Sequence, residues 1–257
     1  KKSFDRWSKV KGFSDSIFSL IDKAYSQNSE TNFYLDKLNV RNIKSIGNLK
    51  FIENHNYKTD KADKKIFSQF KKYKTFIAAS THESEELFAA RTHILLNKRN
   101  KNIITIIIPR HINRVGQIIS EISELGLKVV TRSSNKVELK NIDIFIVDTF
   151  GESEKFYKFA TTVFLGKSIV KGGGQNPLEP ARFGAKILHG PGVSNFKDVY
   201  KYLKQLKISS EVNSPKKCAN SVIFKKNMKK VKKMKYLGSR ILKKTLNELD
   251  KSIHNEI

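Results

Sequence analysis

The chain has 257 residues, 39% of them hydrophobic, with 50 Lys+Arg against 24 Asp+Glu for a formal net charge of +26. That supports one large domain or two small ones with a real core. It excludes a membrane-spanning segment of ~18 consecutive apolar residues, any internal disulfide or cysteine-based zinc site, since Cys218 is the only cysteine, and a metal-ligand spacing among the six scattered histidines.

A lone cysteine fits a reducing compartment. No signal-peptide pattern opens the chain. It begins on Lys1, not Met, and the expectation is a fragment whose front is missing. The positive charge should draw polyanions: nucleic acid, anionic lipid or phosphorylated substrates. A Lys-, Ile- and Asn-rich proteome accounts for part of the lysine excess. An anionic membrane surface accounts for the remainder better than nucleic acid does.

The first ~50 residues hold a helical stretch, Phe13–Lys23, and an extended run ending at Gly47-Asn48-Leu49-Lys50. They read as the tail of a preceding domain, residues 1–52. Residues 57–74 are Lys-rich and polar, a linker with a helix. Apolar runs then follow at Thr75–Ala79, Ile103–Ile108, Leu127–Thr131, Ile144–Val147, Thr162–Leu165 and Ala185–Leu188. They are continuous rather than alternating, as in strands buried on both faces. Between them lie amphipathic stretches: Glu83–Asn97, Arg114–Leu125, Glu152–Phe159 and Pro177–Phe183. This alternation predicts a Rossmann-like α/β domain, residues 53–257, with a parallel sheet and helices on both faces. From Lys216 on, Val231, Met234, Leu237, Ile241, Leu242, Leu246, Leu249 and Ile253 recur at helical spacing in a basic context. That stripe predicts a helix packed on the domain body, and its Lys face is also suited to anionic headgroups.

Open parallel sheets bind ligands at the carboxyl ends of their strands, and the unusual residues collect there. Ser80-Thr81-His82-Glu83 follow the first strand of the domain, Pro109-Arg110-His111 the second, and Asp148-Thr149-Phe150-Gly151-Glu152 the fourth. Gly166-Lys167-Ser168 and Gly172-Gly173-Gly174-Gln175-Asn176-Pro177-Leu178-Glu179-Pro180 follow the fifth, and His189-Gly190-Pro191-Gly192 the sixth. Structural roles compete at each place. Ser80 with Glu83, and Asn176 with Glu179, fit capping boxes, with Pro177 at the first helical position. His111 reads equally well as a structural histidine. Arg110 has no apparent local partner and suits bidentate phosphate binding. Gly172, Gly173 and Gly174 permit positive φ and close approach of amides to an anion. Together these point to a nucleotide phosphate and ribose. No Walker-type lysine loop and no G-x-G-x-x-G follows the first strand, so a dinucleotide or ATP site of the usual kind is not expected. No paired acidic motif for a divalent metal stands out, and the expectation is chemistry without metal or cofactor.

In this order and spacing, Gly47-Asn48-Leu49-Lys50-Phe51, Ala79-Ser80-Thr81-His82-Glu83, Pro109-Arg110-His111, Asp148-Thr149-Phe150-Gly151-Glu152 and Gly174-Gln175-Asn176-Pro177-Leu178-Glu179-Pro180-Ala181 resemble the 3-deoxy-D-manno-octulosonic acid (Kdo) transferases. Ser3-Phe4 with Trp7, Gly190-Pro191 and Asn195-Phe196 fit too, so the resemblance covers nearly the whole chain. It implies the donor-binding, C-terminal half of a GT-B glycosyltransferase. That half takes CMP-Kdo, and the enzyme acts on a lipid A precursor at the cytoplasmic face of the inner membrane in lipopolysaccharide synthesis. By the same resemblance Pro109, Arg110, Phe150, Gly151, Glu152, Asn176, Pro177, Leu178 and Glu179 contact CMP. Ser80, Thr81, His111, Gly173 and Gly174 form a second tier. Lys50 matches the family's transition-state stabiliser. The general base, a glutamate, lies in the domain expected to be missing, and the fragment should then bind donor without transferring sugar. Phe150 stands where the family often has Met, Ser153 for Leu, Gln175 for His, and Lys167 interrupts a usual Gly-Gly-Ser. Two readings remain beside this one: another GT-B enzyme of UDP-sugars, and a basic nucleic-acid-binding module supported by charge alone.

Overall fold

The structure, a computed structural model, describes residues 2–52, 61–134, 138–170 and 172–254. Two compact units are present, Lys1–His55 with Lys233–Ile257, and Asn56–Lys232.

In the first unit, helices α1 (Lys2–Trp7) and α2 (Lys11–Phe18) precede a short strand β1 (Ala24–Ser26), helix α3 (Ser29–Lys37) and strand β2 (Ile43–Ser45). The helical stretch expected at Phe13–Lys23 thus starts earlier and stops at Phe18. The extended run before Gly47 contributes β2, which pairs with β1 in parallel, Ala24 opposite Ile43. Asn28 caps α3, its side chain accepting from the Thr31 amide at 2.8 Å.

The second unit runs α4 (Lys61–Phe70), β3 (Lys74–Thr81), α5 (Glu85–Asn97), β4 (Ile103–Pro109), α6 (Val115–Ser123), β5 (Val129–Thr131), β6 (Ile144–Ile146) and α7 (Ser153–Tyr157). It continues through β7 (Thr162–Leu165), α8 (Leu178–Arg182), β8 (Lys186–His189), α9 (Lys197–Gln205), β9 (Ser209–Glu211) and α10 (Pro215–Ser221). Among the described residues these strands form a seven-stranded sheet in the order β5-β6-β4-β3-β7-β8-β9. Every pairing in it is parallel.

Both faces are covered, which is why the strands read as unbroken apolar runs. Phe76, Ile77, Ala78, Ala79, Ile106 and Ile107 are all fully buried. On one face Phe76, Ala78, Ile107 and Phe164 pack with Phe88 and Ala89 of α5, Ile118 and Ile122 of α6 and Cys218 of α10. On the other, Phe70 of α4 meets Phe145 of β6 at 5.2 Å, edge to face, and Phe156 of α7 lies 5.7 Å from Phe145. The segment read as a polar linker therefore supplies core through Ile66, Phe67 and Phe70. Strand β9 was not legible, because Ser209-Ser210-Glu211 is a polar edge strand paired only to β8 and anchored by the buried Ile208 and Val212 on either side.

The sequence reading placed residues 53–257 in one domain. In the structure the C-terminal helix α11 (Met228–His254) begins in the second unit and passes into the first. Within the first unit, the Lys44 ammonium meets the Glu248 carboxylate at 2.7 Å and the Tyr25 hydroxyl donates to the Glu248 carbonyl at 3.1 Å. The expected apolar stripe is only partly covered. Val231, Met234 and Ile241 are buried, whereas Leu242, Leu246, Leu249 and Ile253 are exposed.

Candidate functional site

The parallel registers align the strand ends. Ala79 pairs with Ile108 on one side and Leu165 on the other, and Leu165 pairs with His189. The polar and glycine clusters singled out in the second unit therefore share one edge of one sheet. Strand β3 passes to β4 on one side, and the chain returns to β7 on its other side. The switch point lies between β3 and β7, where such sheets bind ligands.

That switch point is built around Glu85. Its side chain is fully buried and accepts four backbone amides: His82 (3.0 Å) and Lys167 (2.7 Å) at Oε2, Ser168 and Ile169 (3.0 Å each) at Oε1. One carboxylate thus ties the loop after β3 to the loop after β7. Ser80 (φ 52°) and Lys167 (φ 55°) both hold left-handed backbone beside it, a conformation L-residues keep only when their surroundings impose it. Gly166 is required: a Cβ there would stand 2.3 Å from the Ser80 carbonyl oxygen and 2.6 Å from Glu85 Oε2. Further along, the Gly174 amide donates to the Lys167 carbonyl at 2.8 Å and the Asn195 amide to Gly173 at 2.9 Å. The Gly190 amide donates to the buried Ser168 hydroxyl at 2.8 Å. Gly173 and Gly174 sit at φ 84° and 78°.

The capping box expected from Ser80 and Glu83 does not form. Helix α5 starts at Glu85, and it is the Glu85 side chain that reaches back to the His82 amide. At α8, Asn176 Oδ1 accepts from the Leu178 amide at 3.2 Å, and Asn176 Nδ2 donates to Glu179 Oε1 at 3.4 Å. Pro177 precedes the helix instead of opening it. Pro177 has no N–H to offer, so little amide capacity remains at that helix start.

On the other side of β3, the Arg110 amide donates to the Thr81 carbonyl at 2.9 Å. The Arg110 side chain is exposed. Pro109 is buried as the last residue of β4. His111 is exposed, its ring 5.4 Å from that of His82 in an edge-on arrangement. Burial lowers the His82 pKa. Glu85 pulls the other way, and His111, Lys167 and Arg110 add to the lowering. Behind them Arg114 meets the buried Glu86 carboxylate at 3.4 Å, and burial raises the Glu86 pKa. Thr81 Oγ1, Glu86 Oε2 and Arg114 Nη2 are buried without a hydrogen-bond partner among the described residues.

After β6, Phe150 is 77% exposed and Gly151 turns at φ 74°. The Glu152 carboxylate is engaged by Arg132 through Nε (3.2 Å) and Nη2 (3.4 Å), by Lys155 (2.9 Å) and by the Thr149 hydroxyl. Burial alone would raise its pKa. The hydrogen bonds outweigh burial and hold the carboxyl at about 2. Lys50 belongs to the first unit, exposed in a single 3₁₀ turn whose Asn48 side chain accepts the Lys50 amide at 2.9 Å.

Sequence reasoning missed Glu85 and Arg132. An acid two residues past Glu83 at a helix start looks like ordinary first-turn charge, and only tertiary contact shows it reaching another strand's loop. Among the described residues, no group of three or more His, Cys, Asp or Glu is placed to hold a metal ion. No helix there is long and apolar enough to cross a membrane.

No family model matches the chain. It is 31% identical over 227 residues to the 3-deoxy-D-manno-octulosonic acid transferase of Rickettsia bellii, covering 87% of this chain and 53% of that protein. It is 28% identical over 224 residues to the enzyme of the same name from Haemophilus influenzae, covering 83% and 51%. Its fold is that of the C-terminal CMP-Kdo binding domain of WaaA from Acinetobacter baumannii, with a TM-score of 0.58 at 20% identity over 72% of this chain and 96% of that one. The chain is thus a homologue of the 3-deoxy-D-manno-octulosonic acid transferases, spanning about half the length of the curated relatives it matches.

Proposed function

We propose that this chain supplies the donor-binding part of a glycosyltransferase that moves Kdo from CMP-Kdo to a lipid A precursor, with inversion and without metal. The observation that carries the reading is Arg110. Its guanidinium is exposed at the switch-point edge of the sheet, and among the described residues it makes no hydrogen bond or ion pair. A planar, permanently charged fork in that position suits a phosphate.

In this reading the second unit is the CMP-sugar domain, and residues 1–52 belong to the acceptor domain. Arg110 binds the CMP phosphate. Phe150-Gly151-Glu152 contact the nucleotide through backbone and the Phe150 ring, since the Glu152 carboxylate is already engaged by Arg132, Lys155 and Thr149. Glu179, bonded through one oxygen to Asn176, offers the other to ribose hydroxyls. Pro109, Asn176, Pro177 and Leu178 shape the backbone around them. A base from outside these residues deprotonates the acceptor hydroxyl, which attacks the anomeric carbon. CMP leaves with charge accumulating on its phosphate, where fixed cations stabilise the transition state. Arg110 is assigned that task within the second unit, and Lys50 is proposed as a transition-state stabiliser on the family resemblance alone. The lysines of α11 face an anionic inner-membrane surface.

The test is thermal stability of the chain with CMP, UMP, AMP and no ligand. A ligand that binds only the folded state stabilises it by ~2.7 kcal/mol at a hundredfold excess over its dissociation constant. A shift with CMP alone is expected. A shift with UMP instead would move the assignment to a UDP-sugar enzyme, and no shift with any nucleotide would remove it.

A further inference from the structure

The amino ends of the strands form a second edge of the sheet, opposite the one that carries Arg110 and Glu85. There, at the starts of β8 and β9, the turn after α8, the turn before β9 and the first residues of α11 line a small pocket. Its floor is apolar, made by Ala181, Ala185, Ile208 and Val231, all buried. Its rim carries Lys186, Lys207 and Lys230. The pocket measures about 40 Å³, about three times the ~10–15 Å³ that one water needs.

Two of these lysines are held in place. The Lys186 ammonium donates to the Ser221 carbonyl at 2.9 Å, and the Lys230 ammonium to the Lys207 carbonyl at 2.7 Å. Both residues are partly buried. Burial lowers the Lys186 pKa, and the Lys230 charge lowers it further. Among the described residues no carboxylate lines the pocket. Chain direction explains why. Glu179 stands at the start of α8 and Asp198 at the start of α9, and Glu211 ends β9 beside His189, so these acids sit at the carboxyl edge. The first turn of α11 holds no acid either. A lysine-rich composition does not account for the pair. Surplus lysines stay in water, as Lys225 and Lys229 do, whereas two ammoniums at a partly apolar pocket lose solvent and repel each other. An ammonium has three donors, and each carbonyl takes one of them.

We propose that this pocket is a site for a phosphate monoester with an apolar substituent, the phosphate held by Lys186 and Lys230 and the substituent lying on Ala185, Ile208 and Val231. A monoester carries about 1.5 to 2 negative charges at pH 7, which matches two ammoniums with no carboxylate between them. The site is independent of the donor reading, since it lies at the other edge of the sheet. The same chemistry has two sources, a soluble phosphate ester and the headgroup of a phosphatidic acid in a membrane.

The experiment titrates the chain and its Lys186→Met and Lys230→Met variants with n-hexyl phosphate, inorganic phosphate and CMP by calorimetry. Each protein is also floated with phosphatidylcholine vesicles, with and without phosphatidic acid. Methionine nearly keeps the side-chain length and removes the charge. Thermal melting checks folding, and either folded variant decides the outcome. Lys229→Met, an exposed lysine of the same turn that does not line the pocket, controls for net charge. n-Hexyl phosphate should bind the parent more tightly than inorganic phosphate and lose about tenfold in each pocket variant, the scale of one hydrogen bond to a charged group. Its affinity for Lys229→Met, and the CMP affinity of every variant, should stay within about twofold of the parent's, as for distant sites. Recruitment that needs phosphatidic acid and both lysines assigns the site to a lipid, and ester binding without it assigns the site to a soluble ligand. Equal affinity for the ester and inorganic phosphate would overturn the apolar half of the assignment. No ester binding and no lysine-dependent recruitment would overturn the whole site, and so would a loss in Lys229→Met as large as in the pocket variants.

Discussion

The two sides of β3 use their polar residues differently. On the β7 and β8 side, the loops are stitched by buried groups: Glu85 takes four amides, Ser168 takes another, and Gly166 and Gly190 allow backbone to touch backbone. On the β4 and β6 side, Arg110, His111 and Phe150 are exposed, and the Glu152 carboxylate is held by the side chains of Arg132 and Lys155. The first side is a rigid cradle of main chain, and the second presents side chains free to meet a ligand. Polar residues at strand ends are therefore not equivalent evidence for a site, since some of them build the wall.

Substitutions on each side test that division. Glu85→Gln should cost the most, ~3–5 kcal/mol, because a neutral amide can accept through only one of its two terminal atoms and leaves buried amides unpaired at ~1–3 kcal/mol each. Urea unfolding would measure it, and a loss under 1 kcal/mol would show that the cradle is not rigid. Glu152→Gln should cost less, about 1–2 kcal/mol, since its charge-assisted bonds are partly open to solvent. That cost depends on pH. The folded carboxyl sits at about 2, below its unfolded value near ~4.3. Its contribution is fully present above the unfolded value and fades as pH falls toward 2. The gap between parent and variant should narrow over that window and stay constant from pH 6 to 8.

Arg110→Ala should leave stability within about 0.5 kcal/mol, as for an exposed residue without partners. It should weaken CMP binding by ~1–3 kcal/mol, and unchanged affinity by calorimetry would sink its assignment. Phe150→Ala should have the smallest effect on folding, within about 0.5 kcal/mol by thermal melting, because the ring is already in water. A large loss would place Phe150 among the wall-building residues.

Much of this was readable before any coordinates. Ile103–Ile108 and Thr162–Leu165 announced strands buried on both faces, and alternation with amphipathic stretches announced a parallel sheet. Parallel strands all end on one edge, so the clusters at 80–83, 109–111, 148–152 and 172–180 had to converge. The β9 strand was hidden because its own residues are polar and only its neighbours are apolar. The start of α5 was misplaced because Ser80 and Glu83 match the spacing of a capping box that Glu85 pre-empts.

By itself the sequence determined the strand runs, the direction they share and hence the edge where chemistry collects, because burial on two faces and chain alternation are local signals. Only the tertiary structure decided which acids are engaged. Glu85 and Glu152 differ from Glu83 not in type or spacing but in the amides and cations that distant segments bring within 2.7 to 3.4 Å. It likewise decided that α11 passes from one unit to the other, because an amphipathic stripe says that a face is covered and not by what.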